Sequence, residues 1–399
     1  MFLVKKLKKK LLSILNKNQL VNRWFQLFEN YIINKTMKLT KKKIFLLVII
    51  SLLIFFVLRL FFNVQKDLKI NYFDKSLSEN KKILEEINII SKSLHNKNYW
   101  LTWGHWWELL AHTFYWYSLT NLYLENLKNT KFQKFAKREL EFILNYIKTD
   151  WKKNFINKNT DIPLWIIYQW HKNQILASLV LIWENKYKET LYENSDFLYK
   201  YLNKTKSKNC ETYAWRSWYV DNINAIYSLY LTDEIRKKDN LKAKYNILIK
   251  DWLVYMKKNL WKNWMILAET TWPELQFNQS RWASLSWTLV YLYDLDKNFF
   301  NKQYKLYKKY LFSKIGLSFD IPKWQTLINK IPAWPVVFWY SSSASILSLW
   351  IFKKSWEIDY FYKNLKAIDY AYFYNWKEYI FWKSTLIDSL ALWGKTQRF

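Results

Sequence analysis

"NYWLTWGHWWELLAHTFYWY", residues 98–117, carries five tryptophans and one of the three glycines in a chain of 399 residues. Read literally, it is an aromatic run that no turn could hold. Read with glycine in place of tryptophan, it is a loop that opens a helix at about His105. A chain of this length ordinarily carries roughly 28 glycines. This one has 3 glycines and 26 tryptophans, so the tryptophans nearly make up the shortfall.

The neighbours of the tryptophans agree. Asp150-Trp151, Asp251-Trp252, Asn263-Trp264, Ser355-Trp356 and Asn375-Trp376 are pairs in which the second residue is ordinarily glycine. Glycine takes positive φ there without a Cβ clash. Trp272-Pro273 and Trp334-Pro335 resemble Gly-Pro turns. The reading adopted is a gene whose UGA codons stand for glycine, here written as tryptophan. The abundance of Lys, Asn, Ile, Tyr, Phe and Leu, with seven arginines, suits an AT-rich genome. The rival reading is a tryptophan-rich protein that stacks sugars on indole faces.

The formal charge of +31 is carried by lysine far more than arginine. Arginine is the side chain suited to forked phosphate and base contacts, so no nucleic-acid partner is expected. Lysine excess instead suits a solvated surface, the lipid bilayer, or anionic envelope polymers. A single cysteine, Cys210, excludes an intramolecular disulfide framework.

"IFLLVIISLLIFFVL", residues 44–58, contains one non-apolar residue, Ser51, and with residues 59–62 is long enough to cross a bilayer. Twelve basic residues and one acid precede it, which predicts a cytoplasmic N-terminus and an extracytoplasmic remainder. The expected organisation is a basic, amphipathic cytoplasmic segment over 1–43, a membrane span over 44–62, a linker over 63–75 and one domain over 76–399.

In "KFQKFAKRELEFILNYIK" (131–148), Phe132, Phe135, Ala136, Leu140, Ile143, Tyr146 and Ile147 recur at steps of three and four, a helix with one apolar face. Similar segments cover 77–95, 105–126, 165–186, 188–203, 219–232, 239–258, 280–294, 297–312, 335–353, 357–372 and 383–394. Twelve such helices predict an all-α domain, six helical hairpins closed into an (α/α)6 toroid, with minor β additions near 263–270 and 377–382. An open superhelical array is the alternative.

Candidate chemistry gathers in four loops. His105, Glu108 and His112 share one helix face at steps of three and four. They could form an acid/base pair, hold a metal with His171, or be structural; the spacing is not that of a zinc protease, and no metal or other cofactor is assigned. "YQWHKNQIL" offers the polar cluster Tyr168, His171, Asn173 and Gln174. In "CETYAWRSWYVDNINAIYSL", Tyr213 lies in a loop, and Asp221 and Asn222 open a helix as caps or as a carboxylate at the floor of a funnel. "ILAETTWPELQFNQSRWASLSW" packs Glu269, Glu274, Arg281 and Ser284 before an apolar helix, costly unless they pair or bind something. His105, Glu108, His171, Tyr213, Asp221 and Glu269 are the catalytic candidates. His112, Asn173, Asn222, Glu274, Arg281 and Ser284 are the substrate-binding ones.

With glycine in place of tryptophan, six stretches resemble a bacterial family of membrane-attached (α/α)6 proteins similar to linalool dehydratase/isomerase. They are "IIYQWHKNQIL" (166–176), "TYAWRSWYVDNINAIYSLYL" (212–231), "ETTWPELQFNQSRWASLSWTL" (269–289), "NKQYKLYKKYL" (301–311), "AWPVVFWYSSSAS" (333–345) and "STLIDSLAL" (384–392). The resemblance implies a pocket formed by these loops and lyase or isomerase chemistry on a terpenoid or lipid-like alcohol. Cys210 matches one loop cysteine of the linalool enzyme, but no second cysteine exists for two-thiol chemistry. The acidic residues that the family carries before its "GPVVFG" segment are absent from "LINKIPAWPVVFW" (327–339), and Asp320 is the nearest replacement. A glycoside hydrolase or polysaccharide lyase with Asp221 opposite Glu269 or Glu274 is the enzyme alternative, acting on a glycan. A non-catalytic envelope-binding scaffold is the third.

Overall fold

A computed structural model describes residues 41–74, 76–97, 105–151, 166–183, 185–212, 216–260, 265–267, 269–271, 282–318, 336–337, 340–371 and 384–397. The protein divides into two compact units, residues 1–62 and 63–399.

In the first unit the described chain is one helix, α1 (Lys41–Leu68), which continues past the boundary. Its stretch Ile49–Leu68 is long and apolar enough to cross a membrane. Leu46, Leu53, Val57 and Phe61 on it are exposed, as lipid-facing side chains would be. The expected linker is different in form, because the helix runs through residues 63–68.

The second unit is helical, and each of the twelve expected segments contains a helix. They are α2 (Lys81–His95), α3 (His105–Glu125), α4 (Thr130–Tyr146), α5 (Ile166–Trp183), α6 (Lys188–Leu202), α7 (Tyr219–Lys238), α8 (Asn246–Lys258), α9 (Trp282–Leu295), α10 (Lys297–Tyr310), α11 (Ser342–Lys354), α12 (Ile358–Ala371) and α13 (Thr385–Thr396). Their starts are chemically marked. Asn80 accepts from the N–H of Lys82, Asn129 from that of Phe132 and Asp296 from that of Phe299, each satisfying a free helix-end donor.

The helices alternate in character. In α10 a stripe of Phe299, Phe300, Gln303, Tyr304 and Tyr307 is buried, an outer-layer pattern. In α13 every residue from Thr385 to Thr396 except Asp388 is buried. The all-round buried helices are neighbours of one another: α3 packs on α5, α5 on α7, α7 on α9, α9 on α11, α11 on α13, and α13 on α3. The amphipathic helices lie against them, α4 on α3, α6 on α5 and α7, α8 on α7, α10 on α9, α12 on α11 and α2 on α13. Gly394 permits the α11–α13 contact, since a Cβ there would stand 3.0 Å from that of Leu349.

Two strand pairs are described: β1 (Arg216–Trp218) with β2 (Glu269–Thr271), and β3 (Val336–Val337) with β4 (Tyr340–Ser341), both antiparallel. The second pair corrects the expected helix over 335–353, which begins only at Ser342. Likewise α8 begins at Asn246 rather than at 239. Asp233 holds the preceding loop, accepting from the N–H groups of Lys244 (2.7 Å) and Tyr245 (2.9 Å). The β addition expected at 377–382 lies outside the described residues.

The tryptophan pairs divide. Trp356 has φ +60° and follows α11 in a Schellman closure: its N–H donates to the Lys353 carbonyl, and that of Glu357 to the Phe352 carbonyl. That position is ordinarily glycine's. Trp252, by contrast, lies inside α8, fully buried, with its indole N–H donating to Asn209 Oδ1 at 2.7 Å. It is no turn residue.

Within the second unit a buried charge cluster surrounds Asp67, near the C-terminal end of α1. Asp67 pairs with Lys82 and with Lys395 (3.3 Å), and the Tyr72 hydroxyl donates to it. Glu86 lies 3.3 Å from the ammonium groups of both lysines. Burial, reinforced by Lys395, lowers the Lys82 pKa to about 7 despite Glu86. Removing one partner from such a cluster strands buried charge.

Two outcomes are expected. Asp67→Ala destabilises the full-length protein by about 3–5 kcal/mol, read as a lower Tm in detergent; an unchanged Tm would remove the cluster from the fold's support. Trp356→Gly is more stable than Trp356→Ala by about 1 kcal/mol, because both lose the ring and only glycine relieves the positive φ.

Candidate functional site

Aromatic rings from α3, α5, α9, α11 and α13 pack against one another. Phe114 of α3 stacks on Trp393 of α13 at 5.1 Å between ring centres and lies 5.3 Å from Trp287 of α9. Trp170 of α5 meets Trp287 edge-on at 6.4 Å, and Trp350 of α11 lies 5.8 Å from Trp393.

The polar groups of this centre sit early on α5 and α7. Asp221 lies in the first turn of α7 and is 2% exposed. A helix N-terminus favours a carboxylate, and Thr212 and Trp170 approach closely enough to favour the charged form too. Burial outweighs all of these and raises the Asp221 pKa to about 7. Its Oδ2 has no partner at hydrogen-bond geometry, and neither has the Trp170 indole nitrogen.

His171 follows Trp170, and the two rings lie 3.4 Å apart between centres. Its Nδ1 is 3.3 Å from the Tyr117 hydroxyl of α3, and its Nε2 has no hydrogen-bond partner. Full burial holds the imidazole neutral, its pKa well below the usual range. Tyr117 is likewise held as a neutral phenol by burial. Beside them Asn224 is a junction: its Oδ1 accepts from Trp287 Nε1 (3.3 Å) and Gln174 Nε2 (3.4 Å), and its own amide donates to the Val220 carbonyl (2.5 Å).

The other candidates are distributed as follows. His112 is buried against α4, stacked on Tyr146 at 4.6 Å, with Nδ1 2.9 Å from the Glu108 carbonyl; burial lowers its pKa to about 4. That is a core histidine bonded to backbone, turned toward the outer helix. Glu108 is half-buried in the first turn of α3. His105 begins α3, but its side chain lies outside the described residues, as do Tyr213, Glu274 and Arg281 altogether.

Asn173 is a satisfied junction of α5, α6 and α7, donating to Ser195 (3.0 Å) and Ser228 (3.1 Å) and accepting from Asn194 (3.2 Å). Asn222 fastens the Cys210 loop. It accepts from the Cys210 N–H at 2.6 Å and donates to the Ser217 hydroxyl at 3.0 Å and the Trp218 carbonyl at 2.8 Å. Ser284 is half-buried early in α9, its carbonyl accepting from the Thr288 hydroxyl. The β1–β2 register sets the backbone of Glu269 opposite Trp218, three residues before Asp221. Of the two carboxylates singled out in the sequence, one is therefore in the centre and the other's backbone is beside its approach.

Cys210 is fully buried, and burial pushes its thiol far up. A thiolate there is disfavoured. Among the described residues no group of three or more His, Cys, Asp or Glu side chains could hold a metal ion. Tyr117 and Asn224 were not among the sequence candidates, and with 30 tyrosines in the chain a single one carries no signal. Compared with known protein families and with curated proteins, the chain matches none.

Asp221 supplies a pH prediction. Its pKa is about 7 folded against an ordinary 3.8, so the fold favours its protonated form. The stability this contributes is complete below about pH 4 and is lost as the pH rises to about 7. Asp221→Asn removes the titration. Its stability advantage over the parent, read from melts across pH, opens between pH 4 and 7 and is flat above, reaching about 4 kcal/mol; a pH-independent difference would contradict the buried, protonated acid.

Proposed function

We propose that the second unit is an (α/α)6 toroid, related to the linalool dehydratase/isomerase-like family, that carries out acid/base chemistry on a terpenoid or lipid-like alcohol. The cycle of neighbours α3, α5, α7, α9, α11, α13 and back to α3 supports the toroid. The apolar helix α1 supports a single-pass anchor, with the basic N-terminal segment inside and the toroid outside.

One observation carries the chemistry: two buried groups that both adjoin Trp170, Asp221 and His171, each keep an unpartnered atom. A carboxyl titrating near 7 can both give and take a proton at neutral pH. In loss of water from an alcohol, Asp221 protonates the hydroxyl oxygen and the C–O bond breaks, releasing water. His171, with Nδ1–H donating to the Tyr117 oxygen, accepts the proton of the adjacent carbon on Nε2 as the double bond forms. Return of that proton to Asp221 resets the pair. Isomerisation is the same sequence run back with water added at the other end of the allylic cation. The aromatic surroundings favour an apolar substrate over a sugar.

The test is gas chromatography of linalool or geraniol incubated with full-length protein in detergent, made with every UGA codon read as glycine. The expected result is alkene or isomeric alcohol. Asp221→Asn lowers the rate by roughly 10²- to 10⁴-fold, and the parent rate falls as the pH rises through about 7. Turnover unaffected by Asp221→Asn would overturn the assignment.

A further inference from the structure

Two of the residues that fill the aromatic centre are tryptophans in stretches that resemble the family's when tryptophan is read as glycine, 166–176 and 269–289. Trp170 lies between Gln169 and His171, and Trp287 in "ASLSWTL" on α9. Both are nearly fully buried, Trp170 1% and Trp287 7% exposed. They touch each other, and each touches the polar end of the centre: Trp170 the Asp221 carboxyl and the His171 ring, Trp287 the Asn224 amide oxygen. Buried tryptophan ordinarily satisfies its N–H. Trp170 does not, although a carboxylate oxygen without a partner is close by. Three unpartnered polar atoms, Trp170 Nε1, His171 Nε2 and Asp221 Oδ2, thus meet around one indole.

We infer that the indoles of Trp170 and Trp287 occupy the substrate chamber. With glycine at both positions the backbone of α5 and α9 stays as it is, and the volume of two indole side chains opens between Phe114, Trp393, His171 and Asp221. The chamber takes one flat or branched apolar molecule bearing a single hydroxyl, which reaches Asp221 Oδ2 and His171 Nε2 in place of the indole edge. Filled by the indoles, the chamber is shut. This rests on Asp221 and His171 as the reacting groups only for the orientation of the ligand; the position and apolar walls of the chamber do not depend on it.

The experiment compares the full-length protein bearing tryptophan at both positions with the Trp170→Gly, Trp287→Gly double variant, both in detergent. Thermal melts are taken with indole, with geraniol and with glucose. Indole and geraniol are expected to raise the Tm of the double variant by several degrees and to leave the tryptophan form unmoved, because a ligand stabilises only a state that has room for it. Glucose moves neither.

Adding Asp221→Asn to the double variant is expected to weaken geraniol at least tenfold and to leave indole unchanged. If indole and geraniol both bind and Asp221→Asn affects neither, the chamber stands and the acid/base assignment fails. If neither ligand binds the double variant, or glucose binds as well as geraniol, the chamber is overturned. Should the double variant not fold alone, the single Trp170→Gly variant decides: recovery of its native melt by added indole supports the chamber, and no recovery overturns it.

Discussion

The space between α3, α5, α9, α11 and α13 is filled by aromatic rings, and much of the packing of the second unit follows from how this is done. Backbone alone cannot close the space, and an empty apolar volume of this size would forfeit the contacts of every side chain around it. Phe114, Trp170, Trp287, Trp350 and Trp393 supply the filling from these five helices. Burial on all sides is why α5 and α13 have no polar stripe, whereas α4 and α10 keep theirs for solvent. The polar side chains that remain inside must then find partners along the helices, and mostly they do: Asn173, Asn222 and Asn224 each tie two or more elements together. Asp221 Oδ2 and His171 Nε2 are left over, and both belong to the filled centre.

Away from the centre, charge is used to close the structure. Asp67 comes from the helix that begins as an apolar span and ends against Lys82 and Lys395, so the last turn of α1 is part of the folded unit. Lys353 donates to the Lys395 carbonyl at 2.6 Å, and burial lowers its pKa to about 7. Buried lysines of this kind are tolerable because carboxylates and carbonyls meet them: Lys82 and Lys395 stand against the end of α1, and Lys353 where α11 packs on α13.

Much of the helical order was legible. The amphipathic helices announce themselves by apolar residues at three- and four-residue steps, as in 131–148, and Asn80, Asn129 and Asp296 mark their starts. The all-round buried helices show as longer apolar runs, whose ends are vague for that reason: 335–353 conceals a strand pair before Ser342, and 239–258 a loop pinned by Asp233. The site was legible in part. Asp221 and His171 stood out as rare polar groups in apolar surroundings, but a contact such as Tyr117 with His171, 54 residues apart, leaves no trace in sequence. The tryptophans were read by context, and context serves unevenly. Ser355-Trp356 takes the positive φ that glycine would, whereas Asp251-Trp252 lies inside a helix, where no turn calls for glycine.

What the aromatic centre holds therefore turns on the identity of a few residues, and mass measurement of natively made protein reads it directly. Tandem mass spectrometry of peptides covering 166–183, 282–295 and 351–358 is the decisive observation. Glycine at positions 170, 287 and 356 is the expected result, and it leaves an open chamber beside Asp221 and His171. Tryptophan at 170 and 287 would contradict it: the centre would then be a solid aromatic core, and the reacting site would have to be sought elsewhere on the molecule.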